Sequence, residues 1–477
     1  MKSLARNSMF NAIYQVLNII FPLISSIYVA RVLMPEGVGR VAYAQNIASY
    51  FVTAAALGIP TVGLRAISNT REDRREVNRT FSELVLLNTI STIVSLVLYL
   101  ALVFGNPVFR NDLRLFLATG LVVLFNIINI DWLYQGYEEY TYIVIRSIAV
   151  KVLSVLALFV FVKSKDDYVI YAAITSLAVC GNYLFNAIRS KKYATIQFCD
   201  LDINRHIRPI FFFAGTLFFS AIYSKTDATM LGMIVGDESV GYYSYAHKVL
   251  QIGISFCAAV TSAFLPRLSY YFQKSKEQFY ALIDRGVQII AFLSIPAATG
   301  LFLLAPEAIV LLFGDTFLPA AQTLRIFAIL IIVFAFGNLM CYQMMICSEK
   351  EKTYAGVLAC AAVINVILNS ILIPRFQHDG AAIASVLTEL FINGVVGVYF
   401  ARLLKIKYNW KVIRQAVICS GVMAICIVLV KHLINETLWT FLGCVIIGIT
   451  VYVAMNIILK NQLIAETVTL MRRKLSK

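Results

Sequence analysis

Pro35-Glu36-Gly37-Val38-Gly39-Arg40-Val41-Ala42-Tyr43-Ala44-Gln45 returns, altered, as Asp237-Glu238-Ser239-Val240-Gly241-Tyr242-Tyr243-Ser244-Tyr245-Ala246-His247. The offset is 202 residues, and Glu, Val, Gly, Tyr and Ala recur at matching steps. The same offset sets Arg65 opposite Arg267, each 26 positions past the shared glycine. In so apolar a chain, a matched base that far from its anchor argues for a true duplication. Duplicated membrane units are how two-lobed secondary transporters are built.

Composition agrees. The 477 residues are 60% hydrophobic and 14% charged, with a mean hydropathy of +0.78. Soluble domains carry about 25% charge and about half apolar residues, so this is a polytopic membrane protein. Nine cysteines are scattered without a C-x-x-C pair, and the four histidines have no ligand spacing. Neither a disulfide framework nor a metal site is read. The apolar stretch from Met9 to Val32 is too long for a signal-peptide core and lacks an A-x-A cleavage site. It reads as the first helix.

A spanning helix needs roughly 20 apolar residues, and about fourteen such stretches are predicted. They lie near 9–31, 41–64, 82–104, 113–134, 141–162, 168–188, 208–234, 241–265, 286–305, 319–346, 354–373, 380–402, 412–430 and 438–459. Alternate flanks differ sharply in charge. One set holds 28 lysines and arginines, among them Arg71, Arg74, Arg75, Lys191, Lys192, Lys274 and Lys474; the other holds 8. By the positive-inside rule both termini are cytoplasmic. Most of the net +15 therefore reports topology, which removes the case for a nucleic-acid partner. The longest loops, about 189–207 and 266–285, are predicted to be cytoplasmic.

An even number of spans separates the matched stretches, so the repeat is parallel. A second echo pairs Glu138-Glu139-Tyr140-Thr141-Tyr142 with Lys350-Glu351-Lys352-Thr353-Tyr354. The reading is an all-α protein with an N-lobe at 1–207 (spans one to six) and a C-lobe at 208–411 (spans seven to twelve). Residues 412–477 add two helices and a cytoplasmic tail.

Charges inside spans are costly and mark bundle interiors or watery cavities. The candidates are Arg146, Lys151, Lys225, Asp227, Lys248, Arg325, Asp131 and Glu389. Lys151 and Glu389 lie near mid-membrane, whereas Asp131, Arg146 and Lys225 are close enough to an end to snorkel instead. Bases outnumber acids, which suits an anionic cargo such as a phosphate or pyrophosphate, although an internal Lys225–Asp227 pair would cancel part of the charge. Gln45-Asn46 and His247-Lys248 sit at matching repeat positions and read either as cavity lining or as interhelical hydrogen bonding. Arg31 and Arg40 bracket Pro35-Glu36-Gly37, which reads equally as an ordinary turn or as a gate. Asp227, Glu389 and Asp131 are the acids available to a coupling ion. Pro22 and Pro60 are placed to kink helices.

No P-loop is present, and no cofactor is read. The enzymatic alternative, a membrane glycosyltransferase or polymerase, rests on Asp200-Leu201-Asp202 alone, a D-x-D with no nucleotide-binding domain around it.

The ordered motifs resemble one family. They are Arg31-Val32-Leu33-Met34-Pro35-Glu36-Gly37-Val38-Gly39-Arg40, Trp132-Leu133-Tyr134-Gln135-Gly136-Tyr137-Glu138, Lys225-Thr226-Asp227-Ala228-Thr229-Met230-Leu231-Gly232 and Leu265-Pro266-Arg267. Together they are similar to the Wzx-type polysaccharide flippases of the multidrug/oligosaccharidyl-lipid/polysaccharide exporter superfamily. That resemblance implies a MATE-like fold with no catalytic residues in the bacterial cytoplasmic membrane. It also implies alternating access that flips an undecaprenyl-pyrophosphate-linked repeat unit for O-antigen, capsule or exopolysaccharide, with a polymerase and a chain-length regulator as partners. Arg146, Lys151, Lys248 and Lys225 would grip the cargo. Lipid II flippases and cation-coupled drug exporters of the same superfamily remain the alternatives.

Overall fold

The computed structural model describes residues 4–197, 201–404, 410–433, 437–461 and 463, and every regular element among them is helical. Lys2, Cys199, Asp200, Lys405, Lys407 and the bases beyond 463 lie outside the described residues.

Eleven described segments are long and apolar enough to cross a bilayer. Two of them are broken by single residues outside helical geometry, Phe21–Thr70 at Met34 (φ 60°) and Lys352–Arg402 at Gln377 (φ 51°). Leu113–Phe125 is a shorter apolar helix, followed by a 3-10 turn at Asn126–Ile128 and a helix at Asp131–Gly136.

Three expectations need revision. Pro35-Glu36-Gly37 is not a loop: Met34 alone breaks the helix and Pro35 begins the next one. The span expected at 41–64 stops at Ala56 and restarts at Ile59 after Gly58 (φ 75°), a left-handed step that glycine takes at no steric cost. Pro60 therefore sits in a first helical turn, where its missing N–H is not needed, and kinks nothing. Finally, the loop expected at 266–285 is helical. Leu265–Lys274 buries Leu268, and Ser275 then caps Lys276–Leu303 by accepting from the Gln278 N–H.

Contacts divide the chain into two compact units, Met1–Gly241 and Tyr242–Lys477. In the first, Leu4–Ala56 is the spine against which Arg74–Gly105, Leu113–Phe125, Tyr140–Phe161, Tyr168–Ser190 and Asn204–Ile234 pack. Small polar side chains fasten these helices where apolar attraction has no lipid-water contrast to exploit. Ser91 and Ser95 donate to the Ala55 and Phe51 carbonyls at 2.6 and 2.7 Å, and Asn88 donates to the Asn126 carbonyl at 2.6 Å. One end is closed by an apolar cluster that includes Ile67, Phe81, Trp132 and Tyr134.

In the second unit Lys276–Leu303 packs on Ala320–Gly337 and on Trp410–Leu433, which pairs with Thr437–Ile458. Those last two helices are anchored by Tyr452 Oη donating to the Phe292 carbonyl at 2.8 Å and by a Lys431–Glu307 ion pair at 2.7 Å. Outward residues such as Val97, Leu98, Ile425 and Ile449 are exposed and apolar, as a lipid-facing surface requires.

The local structure repeats with the sequence. Met34 and Gly236, 202 residues apart, both have positive φ immediately before the duplicated stretch. Glu138 and Glu349 both have φ 57° and end their helices identically. Glu139 N–H reaches the Tyr134 carbonyl and Lys350 N–H the Met345 carbonyl, each at 2.9 Å, the six-to-one bond of a Schellman cap. Glu138 is thus equivalent to Glu349, one residue earlier than the echo with Lys350 suggested.

Candidate functional site

The two copies of the duplicated stretch meet. Gly39 lies against the backbone of Asp237 and Gly241, and Gly241 lies against the Pro35 carbonyl, so closely that a Cβ on either glycine would overlap backbone atoms. The contact is reciprocal, since Pro35 and Asp237 are themselves repeat equivalents. Arg40 stands beside it, paired with Glu36 at 2.6 Å, 3.6 Å from Asp237 and over the Tyr168 ring at 5.2 Å. Tyr168 donates to Asp112 at 3.3 Å. Burial raises the Asp112 carboxyl above its usual range, against the opposing effects of the Tyr168 hydroxyl and the Arg40 charge. Arg31 is exposed.

Arg146 and Asp131, expected as a cavity base and a coupling acid, are one ion pair at 3.0 Å. Asn186 bridges them, accepting from Arg146 and donating to Asp131. The guanidinium side chain is 4% exposed and also faces the Tyr142 ring at 5.6 Å. Arg146 is therefore withdrawn from any cavity: burial at this depth demands a carboxylate, and Asp131 provides it.

The other bases are placed differently. Lys151 is half-buried with Nζ 5.8 Å from the Phe21 ring. Lys248 is half-buried with Nζ 4.0 Å from the Tyr245 ring. Lys225 is half-buried too, and among the described residues it makes no ion pair with Asp227, which is itself buried. The supposed internal cancellation is absent. Gln45 donates to Thr175 at 3.0 Å, the hydrogen-bonding alternative for that position, while Asn46 is half-buried beside it. His247 stacks on Tyr243 at 6.1 Å and meets Gln251 at 3.3 Å. Among the described residues Arg325 reaches only Gln322, at 3.4 Å.

Glu389 is buried in a cavity of about 250 Å³ with Asn338, Tyr342, Tyr354 and Asn393. A π-helix at Asn338–Gln343 forms one wall, the kind of bulge that often marks a functional position. Nearby in the same unit, Asn369 donates to Asn365 at 3.0 Å, and both amides are fully buried with Thr388.

Nothing in the sequence sets these amides apart, because single asparagines are common in apolar helices and carry no charge. A buried acid was missed as well. Glu83 is 0% exposed and accepts from Arg79, Arg205 and His206 at 3.2, 2.6 and 2.9 Å. The Asp202 backbone N–H adds a fourth donor at 2.6 Å. The signal was available, since Arg79-x-x-x-Glu83 is an i,i+4 pair, but Glu83 lay near a span end where a carboxylate looks ordinary. Removing it strands Arg205 and His206. Glu83→Ala is expected to cost about 3–5 kcal/mol, read as a clear fall in melting temperature of the purified protein. A melting temperature within a degree of the parent would show the cluster to be ornamental.

A family model described as polysaccharide biosynthesis protein matches residues 4–272. The chain belongs to that family. A second model, MatE, matches residues 213–371. A protein of Escherichia coli (strain K12) named as an O-antigen transporter is 22% identical over 83% of this chain and 96% of its own length. The capsular polysaccharide biosynthesis protein CapF of Staphylococcus aureus is 23% identical over 83% of this chain and 99% of its own. Among solved structures, the lipid II flippase MurJ in an inward closed conformation superposes with a TM-score of 0.78 at 16% identity, covering 96% of this chain and 99% of that one. An inward-facing MATE-family multidrug transporter gives 0.66 at 14% identity over 83% and 98%. The fold is that of these multi-pass transporters and not of an enzyme.

Proposed function

We propose that the protein flips an undecaprenyl-pyrophosphate-linked oligosaccharide across the bacterial cytoplasmic membrane by alternating access. The observation that carries this is family membership, with relatives matched over most of both chains and named for O-antigen transport and capsular polysaccharide. The reading keeps about fourteen spans, lobes at 1–207 and 208–411 with two further helices after 412, and both termini in the cytoplasm. A polymerase and a chain-length regulator would act on the product.

Half-buried lysines without carboxylate partners support an anionic headgroup: Lys225 and Lys248 have none among the described residues. Together with Lys151 they form the basic set assigned to the pyrophosphate, with His247, Asn46 and Arg325 toward the sugars. Arg146 and Asp131 position helices instead. An apolar cavity of about 590 Å³, walled by Phe292, Pro296, Leu304, Met423, Phe441 and Tyr452, suits a prenyl chain. Asp227 and Glu389 are the acids assigned to a coupling ion. Arg40 and the paired glycine turns serve as the gate, with Arg31 at its edge.

Depleting the protein and extracting lipids tests this. Complete, unpolymerised repeat units should accumulate on undecaprenyl pyrophosphate while surface polysaccharide disappears; a normal lipid profile would end the proposal. Accumulation of lipid II would favour the second reading, which the MurJ fold supports. Lys151→Ala is expected to abolish export at unchanged membrane abundance, and normal export would remove it from the set.

A further inference from the structure

The first unit holds an apolar groove of about 430 Å³ at the end of Tyr168–Ser190, separate from every residue assigned to the cargo. Its walls include Phe81, Val85, Ile127, Ile128 and Ala187, from three different helical segments, and Lys191 is its one charged lining residue. The volume admits about fourteen groups the size of a water molecule at ~30 Å³ each, enough for much of one acyl chain.

Its rim is basic. Arg189 is occupied, lying 4.1 Å from the Tyr142 ring and 3.4 Å from the Tyr193 hydroxyl, and Lys192 lies over the Tyr193 ring at 5.6 Å. Lys191 is exposed and has no hydrogen bond or ion pair among the described residues. An unpaired ammonium at the mouth of an apolar slot complements one ligand chemistry, a phosphate joined to a hydrocarbon chain. Glu83, between the wall residues Phe81 and Val85, offers it nothing, because that carboxylate is spent on Arg79, Arg205 and His206.

We infer that this groove binds an anionic phospholipid of the surrounding leaflet, its phosphate on Lys191 and one acyl chain against Val85, Ile127 and Ile128. Such a lipid would fill the seam between Arg74–Gly105 and Tyr168–Ser190 next to the Glu83 seat, stabilising that end of the unit. The inference rests on membrane residence and not on the identity of the cargo.

Native mass spectrometry of the full-length protein tests it, using phosphatidylglycerol and phosphatidylcholine with identical acyl chains. Phosphatidylglycerol is expected to be retained preferentially. Lys191→Ala should reduce that preference about fivefold, the attraction of one lysine for an anionic surface, and Ala187→Trp should block retention of both lipids by filling the groove. Equal retention of the two lipids by the parent protein would overturn the inference, as would an unchanged preference in Lys191→Ala. Displacement of phosphatidylglycerol by equimolar undecaprenyl phosphate would reassign the groove to the cargo and likewise overturn it. The melting temperature of each variant without added lipid separates loss of binding from loss of fold.

Discussion

Gly39→Ala is expected to cut surface polysaccharide at least tenfold in cells that depend on this protein. The Cβ has no room: it would overlap the carbonyl of Asp237, and the partner glycine, Gly241, is held equally tightly against Pro35. Backbone atoms cannot swing aside as a side chain can, so the two turns must separate. Overpacking costs about 1–3 kcal/mol. A clash of backbone on backbone falls in the upper half of that range, about 2 kcal/mol or more, which shifts a balanced two-state equilibrium by more than an order of magnitude. Separation also pulls Arg40 away from Asp237, now at 3.6 Å. Gly394→Ala is the control, because nothing lies within 4 Å of the added atom there, and it should leave export within about twofold of normal. Equal export by both variants would remove the gating role from the paired turns.

Arg146→Ala is expected to lower the amount of folded protein, unlike Lys151→Ala, which should spare it. The alanine leaves Asp131 and Asn186 without their shared donor, and breaking a buried pair from one side costs about 3–5 kcal/mol. Asp131 is 31% exposed, so water relieves part of this and the lower figure is the better guide. Adding Asp131→Asn to Arg146→Met removes both charges while keeping an amide against Asn186, and should restore more than half of the lost melting temperature. Full abundance of Arg146→Ala with no export would return the arginine to the cargo site.

The contrast between these residues marks how far the sequence could be read. Arg146 and Lys151 are both bases in one apolar helix, and their depth in it, the one local difference between them, does not say which of them is paired. Asp131, the partner that does so, is fifteen residues away across a helix break. Asn186 is forty residues away on another helix. Beyond its i,i+4 spacing from Arg79, Glu83 carries no signal of its own in the sequence, because Arg205 and His206, which neutralise it, arrive from the first turn of Asn204–Ile234, more than a hundred residues later.

Backbone features divided along similar lines. Two helix starts were legible from hydropathy: spans expected from 168 and 438 begin at Tyr168 and Thr437. A break made by a single residue such as Met34 or Gln377 was not: both have positive φ and neither is glycine.

What the sequence determined by itself was the membrane class, the duplication and the family, because hydropathy and repeated motifs are properties of consecutive residues. What only the tertiary structure decided was which charges are spent and which are available. A fully buried ion such as Glu83 or Arg146 is so costly unpaired that it needs a partner, and that partner is chosen by helix packing and not by distance along the chain.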